Sequence, residues 1–159
     1  MKNALVAYFS ASGVTKGVAK RLAQAVQGDL FEIAPPVPYS QADLDWRDPR
    51  SRSTVEMQDA ASRPAVAGRA ADMGRYDVVF VGFPIWWYQA PRIIQTFLES
   101  YDLTGKTVVP FATSGGSGMG KTARILRESC PGARVLEGAR MEASASEAEL
   151  NRWVSGLNL

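Results

Sequence analysis

The sequence predicts an α/β fold: a three-layer α/β/α sandwich around a five-stranded parallel sheet. Three observations carry that expectation. Short apolar runs alternate along the chain with segments whose apolar residues recur every three to four positions, the signature of strands alternating with amphipathic helices. The run Asp77-Val78-Val79-Phe80-Val81-Gly82-Phe83 is apolar almost throughout, as suits a strand covered on both faces. Parallel neighbours need right-handed crossover helices, and the alternation supplies one between most pairs of strands. At 159 residues the chain can bury a core without disulfides or metals, so residues 1–159 are read as a single domain.

Each element follows from its residues. Strand one is Asn3 to Phe9, followed at once by the turn Ser10-Ala11-Ser12-Gly13-Val14-Thr15. Helix one runs from Thr15 to about Gln27, with Val18, Leu22 and Val26 on one face. A second strand, Leu30 to Ala34, ends at Pro35-Pro36. Strand three is Asp77 to Phe83. Beyond it, Pro84 to Tyr88 leads to a helix opening at Pro91, a favoured first helical position, with Ile93, Ile94, Phe97 and Leu98 inward. Strand four is Thr107 to Ala112, followed by a glycine-rich turn and a helix from about Lys121 to Ser129 that Pro131-Gly132 stops. A fifth strand lies near Arg134 to Leu136. Ser146-Glu147-Ala148-Glu149 reads as a capping box opening the last helix, whose buried stripe is Leu150, Trp153, Val154 and Leu157.

The segment from Pro35 to about Tyr76 is irregular. It holds Tyr39, the polar run Asp43-Leu44-Asp45-Trp46-Arg47-Asp48-Pro49-Arg50, and a second capping box at Ser53-Thr54-Val55-Glu56 for a short helix ending before Pro64. A connection of this length serves function more often than not, and Tyr39 and Trp46 are its candidates.

Composition removes whole classes of chemistry. There is no histidine, so Ser-His-Asp and Cys-His nucleophilic sites, His-ligated zinc and imidazole acid/base catalysis are excluded. Cys130 is the single cysteine, which excludes an internal disulfide, and its place in Ser-Cys-Pro-Gly at a helix end suits packing. The formal net charge of +2 indicates no nucleic-acid partner. The longest apolar run, Val78 to Tyr88, is too short to span a bilayer, and the start carries no leader-type segment, so the expectation is a cytoplasmic protein with no membrane partner.

Three unusual loops end strands one, three and four, where an open parallel sheet binds its ligands. The first, Ser10 to Thr15, aims backbone N–H groups and hydroxyls at one spot before a helix, an arrangement suited to a phosphate monoester. The second, Pro84-Ile85-Trp86-Trp87-Tyr88-Gln89-Ala90-Pro91, offers aromatic walls for a ring system. The third, Thr113-Ser114-Gly115-Gly116-Ser117-Gly118, lets backbone approach a ring edge closely. A second reading exists for that loop. Gly115-Gly116-Ser117-Gly118-Met119-Gly120-Lys121-Thr122 matches the nucleotide-binding pattern G-x-x-x-x-G-K-[ST], with Lys121 for phosphates and Thr122 for magnesium. Against it, neither strand three nor strand four ends in the acidic residue that such a site needs for its metal.

These loops, in this order, resemble the flavodoxin-like family over nearly the whole chain. The family's phosphate loop, Ser/Thr-x-Ser/Thr-Gly-x-Thr, is matched by Ser10, Ser12, Gly13 and Thr15, and its two flavin-flanking loops by Pro84 to Tyr88 and Thr113 to Gly118. The resemblance is to a bacterial branch of flavodoxins and NAD(P)H-dependent oxidoreductases. It implies strand order 2-1-3-4-5 and bound FMN. It also implies that Ser10, Ser12, Gly13, Val14 and Thr15 hold the phosphate, with a Thr15 hydroxyl bond to it. Pro84, Ile85, Trp86, Trp87 and Tyr88 would then pack by the ribityl chain and ring, and Thr113, Ser114, Gly115, Gly116, Ser117 and Gly118 would line the pyrimidine edge. No protein side chain is assigned as catalytic, because the flavin carries the chemistry. The implied activities are NAD(P)H-dependent reduction of a quinone or flavin, or one-electron carriage between proteins; a non-catalytic FMN module is a third class. The redox partner is a small molecule or a protein, and an uncovered flavin face would suit a homodimer. Unlike long-studied flavodoxins, this second loop lacks glycine, and bulky Trp86 and Trp87 should make positive φ costly there. Two-electron behaviour is therefore expected.

Overall fold

The apolar runs become the strands of one parallel sheet. The computed structural model describes residues 3–114 and 118–159. Its strands are β1 (Ala4–Tyr8), β2 (Asp29–Glu32), β3 (Val78–Pro84), β4 (Thr107–Thr113), β5 (Arg134–Val135) and β6 (Ala139–Met141). They lie in the order β2-β1-β3-β4-β5, with β6 also pairing β4, and every pairing is parallel. This is the flavodoxin-like α/β fold expected from the sequence. The helices are α1 (Val14–Val26), α2 (Arg52–Gln58), α3 (Arg92–Glu99), α4 (Thr122–Ser129) and α5 (Glu147–Ser155).

Successive side chains of a strand point to opposite faces, so each central strand feeds two cores. Leu5, Ala7, Val79, Val81 and Phe83 join Ile93, Ile94, Phe97, Leu98 and Leu126 of α3 and α4 on one face. Ala4, Val6, Tyr8, Val78 and Phe80 join Val18, Leu22, Val26 and Leu150 of α1 and α5 on the other. Each large side chain withdrawn in this way contributes about 1.5–3 kcal/mol. The capping box opening α5 forms as expected, Ser146 accepting from the Glu149 N–H and Glu149 reaching back to the Ser146 N–H.

Two local features depart from the expectation. The cap of α2 is Ser51, not Ser53: Ser51 Oγ accepts the Thr54 N–H, Ser53 lies inside the helix, and Glu56 turns to other partners. The outer strand is also split. Leu136 N–H donates to the Val108 carbonyl, so Pro110, two residues on, faces the same edge and brings no N–H to it. Pairing lapses there and resumes as β6, a strand not anticipated. Gly138 (φ 74°) makes the detour; a Cβ on it would sit 2.0 Å from the Pro110 carbonyl oxygen.

Among the described residues, no helix is long and apolar enough to cross a membrane.

Candidate functional site

The sheet brings the three loops together. β1, β3 and β4 are adjacent, with Tyr8 opposite Gly82 and Pro84 opposite Thr113, so the loops leave neighbouring carboxyl ends. Loop one and loop three are joined by a 2.7 Å hydrogen bond between the Thr15 and Thr113 hydroxyls, and loops two and three by Ile85 N–H donating to the Thr113 carbonyl at 3.1 Å. Of the residues assigned to the site from sequence, Gly115, Gly116 and Ser117 lie outside the described residues.

Loop one leaves backbone donors open at the start of a helix. Gly13 (φ 93°) caps α1, and the first turn of the helix carries no acidic residue. Ser10 Oγ accepts the N–H groups of Gly13 (3.0 Å) and Lys16 (3.2 Å), and Gly17 N–H is taken by the Gly13 carbonyl. Among the described residues no hydrogen-bond acceptor meets the N–H of Val14 or Thr15. These two orphan donors stand at the positive end of a 13-residue helix, where a dianion is most welcome. Ser12, Gly13 and Val14 are exposed, whereas Thr15 is only 2 % exposed and its hydroxyl is turned toward Thr113. Thr15 thus offers an anion its backbone N–H.

Loop two corrects an expectation. Trp86 and Gln89 exchange backbone hydrogen bonds (2.9 and 3.2 Å) around Trp87 (φ 49°) and Tyr88 (φ 63°), a two-residue turn with both central residues left-handed. Positive φ was expected to be avoided there; instead two bulky residues adopt it, each at a cost of about 1–2 kcal/mol. The chain just beyond loop three packs against the turn. Gly120 (φ 56°) lies so close to it that a Cβ would come within 2.5 Å of the Tyr88 carbonyl oxygen.

The irregular segment supplies the remaining wall. Phe9, Tyr39 and Trp86 form a triangle of edge-on contacts with all three centroid separations 5.5 Å. The Arg52 guanidinium lies 3.8 Å from the Tyr39 ring centroid and pairs with Glu56, which accepts a short hydrogen bond from the Tyr39 phenol. Burial, and then that bond, raise the phenol far above its ordinary range, so it stays protonated and serves as a fixed strut.

Sequence reasoning missed the anchor of this segment, Arg92. It follows Pro91 at the start of α3 and is 5 % exposed. Its guanidinium donates to the carbonyls of Glu56 (3.3 Å) and Met57 (2.7 Å) at the end of α2, and to the side-chain oxygens of Gln89 and Gln95. Burial, with Arg63 nearby, lowers its pKa. No local pattern distinguishes such an arginine from a surface cation. A buried helix start after Pro91 was the sole signal.

Trp46 is 70 % exposed and stands across a cleft of about 230 Å³ from Trp86 and Trp87; Leu44, Ser53 and Ile85 complete its lining. The nucleotide-binding reading of Gly115 to Thr122 gains nothing from the geometry. Thr122 is fully buried, its hydroxyl donating to the Met119 carbonyl, so it presents no open oxygen to a magnesium ion bound from solvent.

A family model described as Flavodoxin matches residues 3–157. A provisionally assigned flavoprotein from Bacteroides eggerthii DSM 20697 is 49% identical, with 100% of this chain and 99% of that chain covered and a TM-score of 0.94. Another, from Bacteroides uniformis ATCC 8492, is 47% identical over 97% of this chain and 98% of that chain, with a TM-score of 0.91. A flavoprotein from Lactobacillus acidophilus NCFM, solved in complex with FMN, shares the fold at 24% identity and a TM-score of 0.69, covering 97% of this chain and 99% of its own. No functionally curated protein matches the chain.

Proposed function

The chain belongs to the flavodoxin family, and from that premise we propose that it binds FMN at the carboxyl ends of β1, β3 and β4 and works as a redox protein. One observation carries the reading: among the described residues the Val14 and Thr15 N–H groups meet no acceptor, and they stand at the same sheet edge as the aromatic second loop, which supports a phosphate seat there. The residues present fit that cofactor: donors without carboxylates for the phosphate, and tryptophan for the ring.

When bound, FMN supplies electron or hydride transfer. The chain supplies the setting. Ser10 Oγ accepts two amide hydrogens and so keeps its own proton to donate to a phosphate oxygen. Together with the Val14 and Thr15 amides it makes a charge-assisted set that favours FMN over riboflavin. Pro84, Ile85 and Trp86 flank the ribityl chain and ring, with Trp86 held in orientation by Phe9 and Tyr39. The bond between the Thr15 and Thr113 hydroxyls keeps the phosphate loop in register with the loop toward the pyrimidine edge.

Within this reading the chain is an oxidoreductase that takes electrons from NAD(P)H and passes them to a small acceptor. A second reading, one-electron carriage between proteins, gains from the Trp87–Tyr88 turn. A loop that already tolerates left-handed backbone does not need glycine to rearrange beside a flavin. An absorbance spectrum of the purified protein, with the released chromophore identified, tests FMN itself. Anaerobic mixing with NADPH then separates the two roles: rapid bleaching with turnover on added quinone supports the reductase, and no bleaching supports the carrier.

A further inference from the structure

α1 and α5 pack against each other on one face of the sheet, and both end beside the first residues of β1 and β3, at the edge opposite the three loops. A cavity of about 400 Å³ opens there. Its floor is Ala4, Val78 and Phe80, none more than 8 % exposed, and Val26 of α1 and Val154 of α5 supply walls. Beyond α5 the chain turns through a left-handed Asn158 (φ 54°), and Leu159 lines the same space while packing on the same core. The space therefore has the sheet behind it, two helices beside it and a bend of chain as a further wall.

The lining sets what fits. Ligand pockets run to about 300–1,000 Å³ and are mostly apolar, with a few polar groups that fix orientation. An apolar cavity of about 150 Å³ takes one benzene ring, so at that density about 400 Å³ admits up to about sixteen heavy atoms. Alanine, valine and leucine make most of the apolar surface, which suits an alkyl chain. The polar groups are Asn151, Ser155 and Asn158, and no charged side chain lines the space. Ser155 Oγ gives its proton to the Asn151 carbonyl at 2.9 Å, so toward a ligand it offers only lone pairs. Val26 and Ser155 are also the last residues of their helices, whose carbonyl ends carry partial negative charge. Both features select a positively charged donor and turn away a carboxylate.

We propose that this cavity is a binding site for a straight-chain aliphatic amine, its alkyl chain lying over Ala4, Val78 and Phe80 and its ammonium meeting Ser155 Oγ and the ends of α1 and α5. The site lies at the far end of the strands from the proposed FMN site, shares no residue with it, and does not rest on that reading.

The probes are hexylamine, octylamine and decylamine, with octanoate as the anionic control, titrated calorimetrically into the purified full chain at neutral pH. The expected result is saturable binding of one amine per chain, tightening about fourfold for each added methylene. Octylamine should be preferred to octanoate by at least about tenfold. Ala4→Leu places more side chain in the cavity and should weaken octylamine by at least about tenfold. Asn151 is exposed, so Asn151→Lys leaves the fold intact, and its new charge at the rim should erase the preference for the amine. This variant and the chain-length series decide the matter even if Ala4→Leu fails to fold. Affinity indifferent to chain length overturns the proposal, as does equal binding of octylamine and octanoate by wild type. So does a preference for the amine that Asn151→Lys leaves unchanged. Displacement of octylamine by FMN would also overturn it, by giving the amine to the flavin site, and a concentration-dependent dimer that Ala4→Leu dissolves would give the cavity to a second copy. A chain that takes octylamine but no FMN would refute the cofactor reading and leave this one standing.

Discussion

Thr15 and Thr113 are 2 % and 5 % exposed, and their hydroxyls meet at 2.7 Å across loops 98 residues apart in sequence. Replacing Thr15 by Val keeps the volume but leaves the Thr113 hydroxyl buried without its partner, a cost of about 1–3 kcal/mol, and Thr113→Val does the same in reverse. In the double variant no orphan remains, and an apolar pair of the same shape should be within about 1 kcal/mol of wild type. A double-mutant cycle by urea unfolding should therefore show the double variant more stable than the sum of the singles by about 1–6 kcal/mol, with m unchanged. In thermal melts each single variant should fall by about 4–8 °C for a loss near 2 kcal/mol in a domain of this size. Additive singles, or a neutral Thr15→Val, would refute the reasoning, because the hydroxyls would then not be each other's partner.

Arg92→Met should destabilise the chain by about 2–6 kcal/mol in the same assay, since two buried and two half-buried acceptors lose a charged donor; amide exchange should speed up across α2 before the rest of the chain, and a uniform change would show that Arg92 does not anchor that segment. For Cys130, burial raises the folded pKa to about 11 from an ordinary 9.0, so the neutral thiol's contribution is fully present below pH 9 and is lost as pH rises toward 11. Wild type should lose about 2–3 kcal/mol more than Cys130→Ala over that interval, and parallel pH profiles would contradict the assignment.

What was legible in the sequence was what water imposes. Strands buried on both faces must be apolar throughout, so Ala4–Tyr8 and Val78–Pro84 declared themselves, and the Ser146–Glu149 capping box was readable because its chemistry is local. The features that escaped depend on distant partners. The break in the outer strand follows from which edge Pro110 faces, a property of sheet register. The left-handed Trp87–Tyr88 turn runs against local preference and is held by Gln89 and by the close approach of Gly120, thirty-odd residues on. Arg92 reads as a surface cation until α2 is folded over it. The same division holds within the candidate site: the first loop was visible as a pattern of small donors, whereas the inward turn of the Thr15 hydroxyl was decided by Thr113, and Trp46 acquired its facing wall only through the fold.

The central claim is that loop one is a phosphate seat within a flavin site, and competing calorimetric titrations with FMN and riboflavin test it most directly. The account predicts one FMN per chain and a preference over riboflavin of at least about tenfold, the value of one charge-assisted hydrogen bond. Equal affinity for the two, or no binding of either, would contradict it.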